Sequence, residues 1–218
     1  PIVIMAVTKI LYVLGMSLVL SILIGSVQVS AKENIFSTKD KEVYVENNQY
    51  GEIIQTEIDY SNANIETVEG AKVTYSEAKE ISEESQSNTR PLLKKSSKTT
   101  GTKTVIPGGM IYKGVTVKQN FSGYSFSYKA DYTTIYGKIE WGSKYADRLD
   151  RIYGINYSTN NGGSILSKGV FRKNEKSGYS AYGGVKMVIN NTSGGNYTVY
   201  NYIRVGKDKV WLDYVNNR

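Results

Sequence analysis

The sequence predicts an all-β protein with a C-terminal antiparallel β-sandwich or barrel, and three observations predict it. The first is the stretch Phe121 to Trp141, FSGYSFSYKADYTTIYGKIEW, in which Tyr124, Phe126, Tyr128, Ala130 and Tyr132 alternate with small or polar residues. A period of two puts alternate side chains on one face of a strand, and no helical stripe fits it. The second is recurrence: from residue 104 onward, apolar runs return roughly every ten residues, with turn residues between them. The third is composition, because residues 101–218 hold 14 of the 19 Tyr and 17 of the 21 Gly. Aromatic residues suit a pleated surface and glycines suit tight turns.

Each strand follows from its own run. The alternation predicts strands near Thr104–Ile106, Met110–Gln119, Gly123–Tyr132, Thr134–Trp141, Arg151–Tyr157, Ser164–Arg172, Ser180–Ile189, Asn196–Val205 and Lys209–Val215. Pro107-Gly108-Gly109, Asn160 to Gly163, Asn190 to Gly195 and Gly206-Lys207-Asp208 supply turns. After Tyr132 the alternation slips to odd numbers, Thr133, Ile135, Gly137, Ile139 and Trp141, so a bulge or break is expected between Asp131 and Thr134. Ser143 to Asp150 has no alternation and reads as a loop or one helical turn. Gly183-Gly184 interrupts a good strand, which marks a bulge or a close backbone approach. Asn201 is the one polar member of an otherwise apolar row, Tyr197, Val199, Ile203 and Val205. Trp141 and Trp211 have apolar neighbours, so at least one is expected to be buried.

The chain before residue 101 divides in two. Lys9, the apolar run Ile10 to Ile24, and the small residues Val29 and Ala31 make the three-part plan of an export signal over residues 1–31, with cleavage after Ala31. Residues 32–100 carry nine Lys or Arg against thirteen Asp or Glu, whereas residues 101–218 carry seventeen against seven. The expectation is an acidic, largely flexible segment and linker (32–100) attached to a Tyr-rich basic domain (101–218). Within the segment a hairpin turning at Asn47 to Gly51 and a helix over Ala71 to Ser85 are the only elements suggested. From Ser82 to Lys103 apolar groups are too few to offset the entropy of ordering.

The chain has no Cys and no His. Thiolate and imidazole chemistry, disulfides and the common zinc sites are thereby excluded. No nucleotide or cofactor motif is present, and the paired glycines lack phosphate-loop spacing. Two constellations remain. One is a set of carboxylates, Asp131, Glu140, Asp147, Asp150, Glu175, Asp208 and Asp213, among which Glu140 stands beside Trp141, an apolar neighbour of the sort that raises a carboxyl pKa. Asp147 and Asp150, flanked by Arg148 and Arg151, read as surface ion pairs. The other is a binding surface of Tyr124, Tyr128, Tyr132 and Tyr136 with Lys129 and Lys138 close in sequence. Aromatic faces stack on sugar rings, and Lys holds anions.

The plan as a whole, with YSFSYKADYTTIYGKIEWG as its centre, resembles uncharacterised small secreted β-sandwich proteins of Gram-positive bacteria. That resemblance implies fold and an extracellular or wall-associated location, and no activity. The expected function is non-enzymatic adhesion to an anionic wall polymer, polysaccharide or lipid headgroups, without nucleic acid. A toxin masked by its acidic segment and a carboxylate-based wall glycoside hydrolase are the alternatives.

Overall fold

Thirteen strands and one helix are formed by the described residues: β1 (Glu33–Thr38), β2 (Lys41–Asn47), β3 (Ile53–Asp59), β4 (Asn64–Thr67), α1 (Tyr75–Ser87), β5 (Lys95–Ser96), β6 (Lys103–Thr104), β7 (Gly109–Phe121), β8 (Tyr124–Ile135), β9 (Arg148–Thr159), β10 (Gly163–Arg172), β11 (Ala181–Asn190), β12 (Asn196–Gly206) and β13 (Lys209–Asn217). The computed structural model describes residues 33–38, 40–47, 51–87, 95–96, 103–104, 108–136, 146–192 and 195–217. Val29, Ala31, Lys138, Glu140 and Trp141 lie outside them, and so do the readings that rest on these residues.

Two antiparallel sheets face each other. The larger runs β1-β2-β3-β7-β8-β9, with β4 also on β7; the smaller runs β10-β11-β12-β13. Their inner faces share one core, with Ile58, Met110, Val117 and Tyr128 from the first sheet and Val185, Met187, Val199 and Ile203 from the second. At one corner the sheets are laced together. Leu149 N donates to Lys173 O at 2.9 Å, and Glu175 N to Asp147 O at 2.8 Å.

The acidic segment corrects the expected division at residue 100. β3 pairs with the second half of β7, from Thr116 to Asn120, and β4 pairs with its first half, from Met110 to Lys113. Ile54, Ile58, Tyr60, Ile65, Tyr75 and Ala78 are all core residues. These few apolar groups are enough because Ile54, Ile58, Ile65, Tyr75 and Ala78 sit on inward positions of short strands and the helix, although Ile53 at the start of β3 faces water. Its acids also find bases across the sheet: Glu66 pairs with Lys113 at 2.7 Å, and Glu57 and Asp59 each lie 3.4 Å from Lys118. The charge contrast along the chain is thus partly a contrast between neighbouring strands.

α1 is where the sequence suggested a helix, shifted by a few residues. Thr74 caps it: its hydroxyl accepts from Glu77 N at 3.3 Å, while Glu77 Oε2 accepts from Thr74 N at 2.7 Å. This reciprocal pair is a capping box. Tyr75 and Ala78 are buried and Ile81 packs against the core, while Ala71, at the start of the expected helix, precedes α1 and is exposed.

The expected slip in β8 is corrected in part. Inward residues continue on even numbers through Tyr132, Thr134 and Tyr136. The extra residue is on the neighbouring strand, where Asp131 pairs with Arg151 and Tyr132 with Leu149. β9 begins at Arg148, so the end of the expected loop is already strand. A second bulge lies at Gly114, φ +77°, between the pairs Tyr112↔Tyr132 and Val115↔Ala130. It moves the inward positions of β7 from Met110 and Tyr112 to Val115, Val117 and Gln119, and it falls where the partner of β7 changes from β4 to β3. Asp131 Oδ1 accepts from Gly114 N at 2.8 Å and so holds the bulge.

Gly183-Gly184 is a close approach: β11 pairs with β12 in unbroken register, and the bulge beside it lies on β10, between Val170 and Arg172, opposite Gly183 and Tyr182. A Cβ on Gly183 would come 2.4 Å from Gly169 O and 2.9 Å from Leu149 Cδ2 of the opposite sheet.

Candidate functional site

The predicted tyrosine surface on β8 is corrected by burial. Tyr124, Tyr128, Tyr132 and Tyr136 are buried in the core. They share the inward face with Phe126 and Ala130, and a row containing such residues turns away from water. Lys129 is exposed on the opposite face, so it forms no joint surface with them.

Exposed aromatics instead gather on the outer face of the smaller sheet. Register alone builds the central row: Arg172 pairs with Tyr182, Tyr182 with Arg204, and Arg204 with Trp211. The strands carry outward side chains at every second residue, so Tyr200 and Tyr202 join the same face. Tyr202 stands opposite Gly184, which pairs in turn with Gly169. β10 and β12 are separated by β11, about two strand spacings of 4.8 Å. Even so, the rings of Phe171 and Tyr202 come within 5.4 Å, leaning over the bare backbone of Gly184. Tyr182 lies 5.8 Å from Tyr202, and Tyr200 stacks on Tyr202 at 4.6 Å.

Two guanidinium groups frame this aromatic patch. Arg172 lies 4.9 Å from the Tyr179 ring and 5.1 Å from Tyr182, and Arg204 lies 4.9 Å from Tyr182. Arg204 is paired with Asp213 through Nη2 at 2.6 Å. Arg172 has no carboxylate partner among the described residues; its Nη1 donates to Ser180 O at 3.0 Å. Beside the pair opens a cavity of about 310 Å³, lined by Arg172, Arg204, Lys207, Tyr179, Ser180, Trp211, Gly178 and Glu175. Tyr179 is 62% and Trp211 38% exposed. Trp211, one of the two Trp from which a core member was expected, is therefore a surface residue.

The carboxylates play structural parts here. Asp150 pairs with Arg148 at 3.0 Å, as its flanks suggest. Asp147 does not pair on the surface: it is fully buried, accepting from Ile135 N at 2.7 Å and Asp208 N at 2.8 Å. Glu175, also buried, accepts from Lys207 N at 2.9 Å. Lys207 and Asp208 form the β12–β13 turn at φ 53° and 58°, a conformation that usually calls for Asn or Gly. The two buried carboxyls hold that turn by its backbone.

Burial pushes the Asp147 carboxyl up to about 7, against the pull of its two N–H donors, and the charges of Asp208 and Glu175 raise it further. A raised folded value means that the folded protein holds the proton more tightly than the unfolded chain. The stabilisation is then complete at acid pH and is lost as pH rises from about 4 to about 7. Stability from urea denaturation should fall across that window, on the order of 4 kcal/mol from this group. Asp147→Asn should flatten the fall; an unchanged slope in the variant would assign the pH dependence to other groups.

No family model matches this sequence, and neither a curated protein nor a solved structure matches it.

Proposed function

We propose that the chain is a non-enzymatic adhesion module working outside the cell, and that the outer face of the smaller sheet binds an anionic glycopolymer. The row Arg172–Tyr182–Arg204–Trp211 carries the reading. Guanidinium groups take phosphate or carboxylate through paired donors. Exposed Tyr179 and Trp211 offer flat faces to the sugar rings between those groups. Location follows from the export signal read in residues 1–31. The alternatives have less support. β3 and β4 are hydrogen-bonded partners of β7, which argues against their release as an acidic mask. Asp147 and Glu175, the carboxyls with raised pKa, accept backbone N–H groups in a turn, which is a structural use.

The test is sedimentation of the full chain with purified anionic wall polymer across a salt series. Wild type should pellet at low salt and release as screening shortens to about 8 Å near physiological ionic strength. Arg172→Ala should weaken binding about tenfold, equivalent to roughly 1.4 kcal/mol, and Arg172→Lys should restore it only in part. Trp211→Ala should weaken binding without changing the salt dependence. Equal recovery of wild type and variants, or no recovery at all, rejects the reading. Stronger pelleting with anionic liposomes than with polymer would reassign the face to headgroups.

A further inference from the structure

A second cavity lies on the other side of the molecule's chemistry, among tyrosines that the outer face does not use. Its volume is about 250 Å³, and its floor is formed by Glu42, Tyr60, Tyr75, Tyr112 and Tyr132. The rings use their faces on one another: Tyr60 stacks on Tyr75 at 3.9 Å, and Tyr112 on Tyr132 at 4.5 Å. What they offer an occupant is therefore edges and hydroxyls. Glu42 sits at the centre of those hydroxyls. Tyr75 donates to its Oε1, and Tyr44 to its Oε2 at 2.7 Å. Each carboxylate oxygen keeps acceptor capacity after one such bond. No Lys or Arg among the described residues pairs with Glu42 at ion-pair distance. A partly buried carboxylate without a cation is costly unless something supplies one.

The walls add polarity without changing that charge. α1 presents Lys79, Ser82, Glu83 and Gln86, which its period brings to one face. The β12–β13 turn contributes Asp208 and Lys209, and Gln86 Nε2 donates to Asp208 O at 3.1 Å, tying helix to turn. Lys79 and Lys209 balance Glu83 and Asp208, so Glu42 is the uncompensated charge of the cavity.

We propose that this cavity binds a small polyhydroxylated amine, an amino-sugar unit whose ammonium group meets Glu42 while its hydroxyls meet the tyrosine hydroxyls, Ser82 and Gln86. The volume equals the share of about eight water molecules at 30 Å³ each, which suits one sugar ring. The site is independent of the outer face and of the glycopolymer reading.

The experiment titrates the full chain with glucosamine, glucose and glucuronate at pH 6.5, where a sugar amine is protonated, and follows saturation-transfer NMR and calorimetry. Glucosamine should bind saturably with Kd below about 1 mM, glucose at least tenfold more weakly, and glucuronate not at all. Glu42→Gln keeps the shape and removes the charge, so it should lose the preference for glucosamine over glucose. Glu42 also holds two tyrosines in place, so Lys79→Glu, at the solvent-exposed rim of the cavity, tests the charge without disturbing them and should tighten glucosamine about threefold. Equal affinities for glucosamine and glucose overturn the ammonium assignment. Absence of binding by all three sugars overturns the site. Loss of glucosamine binding in Arg172→Ala, with Glu42→Gln unaffected, would move the amine to the outer face and overturn it equally.

Discussion

Residues 101–218 produced alone should show no cooperative unfolding transition, although they contain eight of the thirteen strands, β6 to β13. The fragment loses Ile54, Ile58, Tyr60, Ile65, Tyr75 and Ala78 from the core. At roughly 1.5–3 kcal/mol for each large side chain buried, that is on the order of 10 kcal/mol, comparable with the ~5–15 kcal/mol by which a domain is stable at all. β7 would also lose its partners along the whole edge now covered by β3 and β4. An uncovered edge on a strand that carries Met110, Tyr112 and Val117 is a template for aggregation. Circular dichroism melts and size-exclusion profiles of 101–218 and 33–218 give the comparison. A sharp transition in the shorter fragment would mean that β3, β4 and α1 contribute little to the core.

Tyr128→Ala should cost about 3–5 kcal/mol, the range for removing a large aromatic side chain from a core. Tyr128 is fully buried on β8, and its hydroxyl lies 3.2 Å from Asn201 Oδ1 on β12, so the side chain spans the two sheets. Tyr128→Phe removes only that polar contact and should cost about 1 kcal/mol. Urea denaturation of the two variants separates packing from hydrogen bonding. If Tyr128→Ala lost less than about 1 kcal/mol, the inward face of β8 would have been assigned to the wrong side.

That assignment is also where sequence reading reached its limit. Alternation in Tyr124 to Tyr132 gave a strand and the right two faces, but alternation has no sign: it does not say which face meets water. Tyr is the residue least able to decide, since it is apolar along its ring and polar at its tip. Phe126 and Ala130 in the same row, against Ser125, Ser127 and Lys129 in the other, were the deciding signal. Asn201 was visible as the odd polar residue in an apolar row, and its explanation, the Tyr128 hydroxyl, comes from a strand 73 positions away. The acidic strands were hard to see for a different reason. β4 has four residues and β3 seven, too short for period to stand out, and their burial comes from pairing with β7 far along the chain. For α1 a local signal did exist, the Thr74-x-x-Glu77 capping box. The Arg–Tyr row of the outer face had none, because it depends on the register of four strands at once.

The shared edge of β7 also fixes an order of events during synthesis. A chain emerges from its N-terminus, at about 5–20 residues per second. β3 and β4 are therefore complete while β7, which begins 42 residues after the end of β4, has yet to appear. Until it does, Ile58 and Ile65 have no permanent neighbour beyond the β2–β3 pair, and nucleation has to wait for a contact between distant parts of the sequence. Strands β3 and β4 are thus made early and secured late, an interval in which a chaperone can hold the chain open.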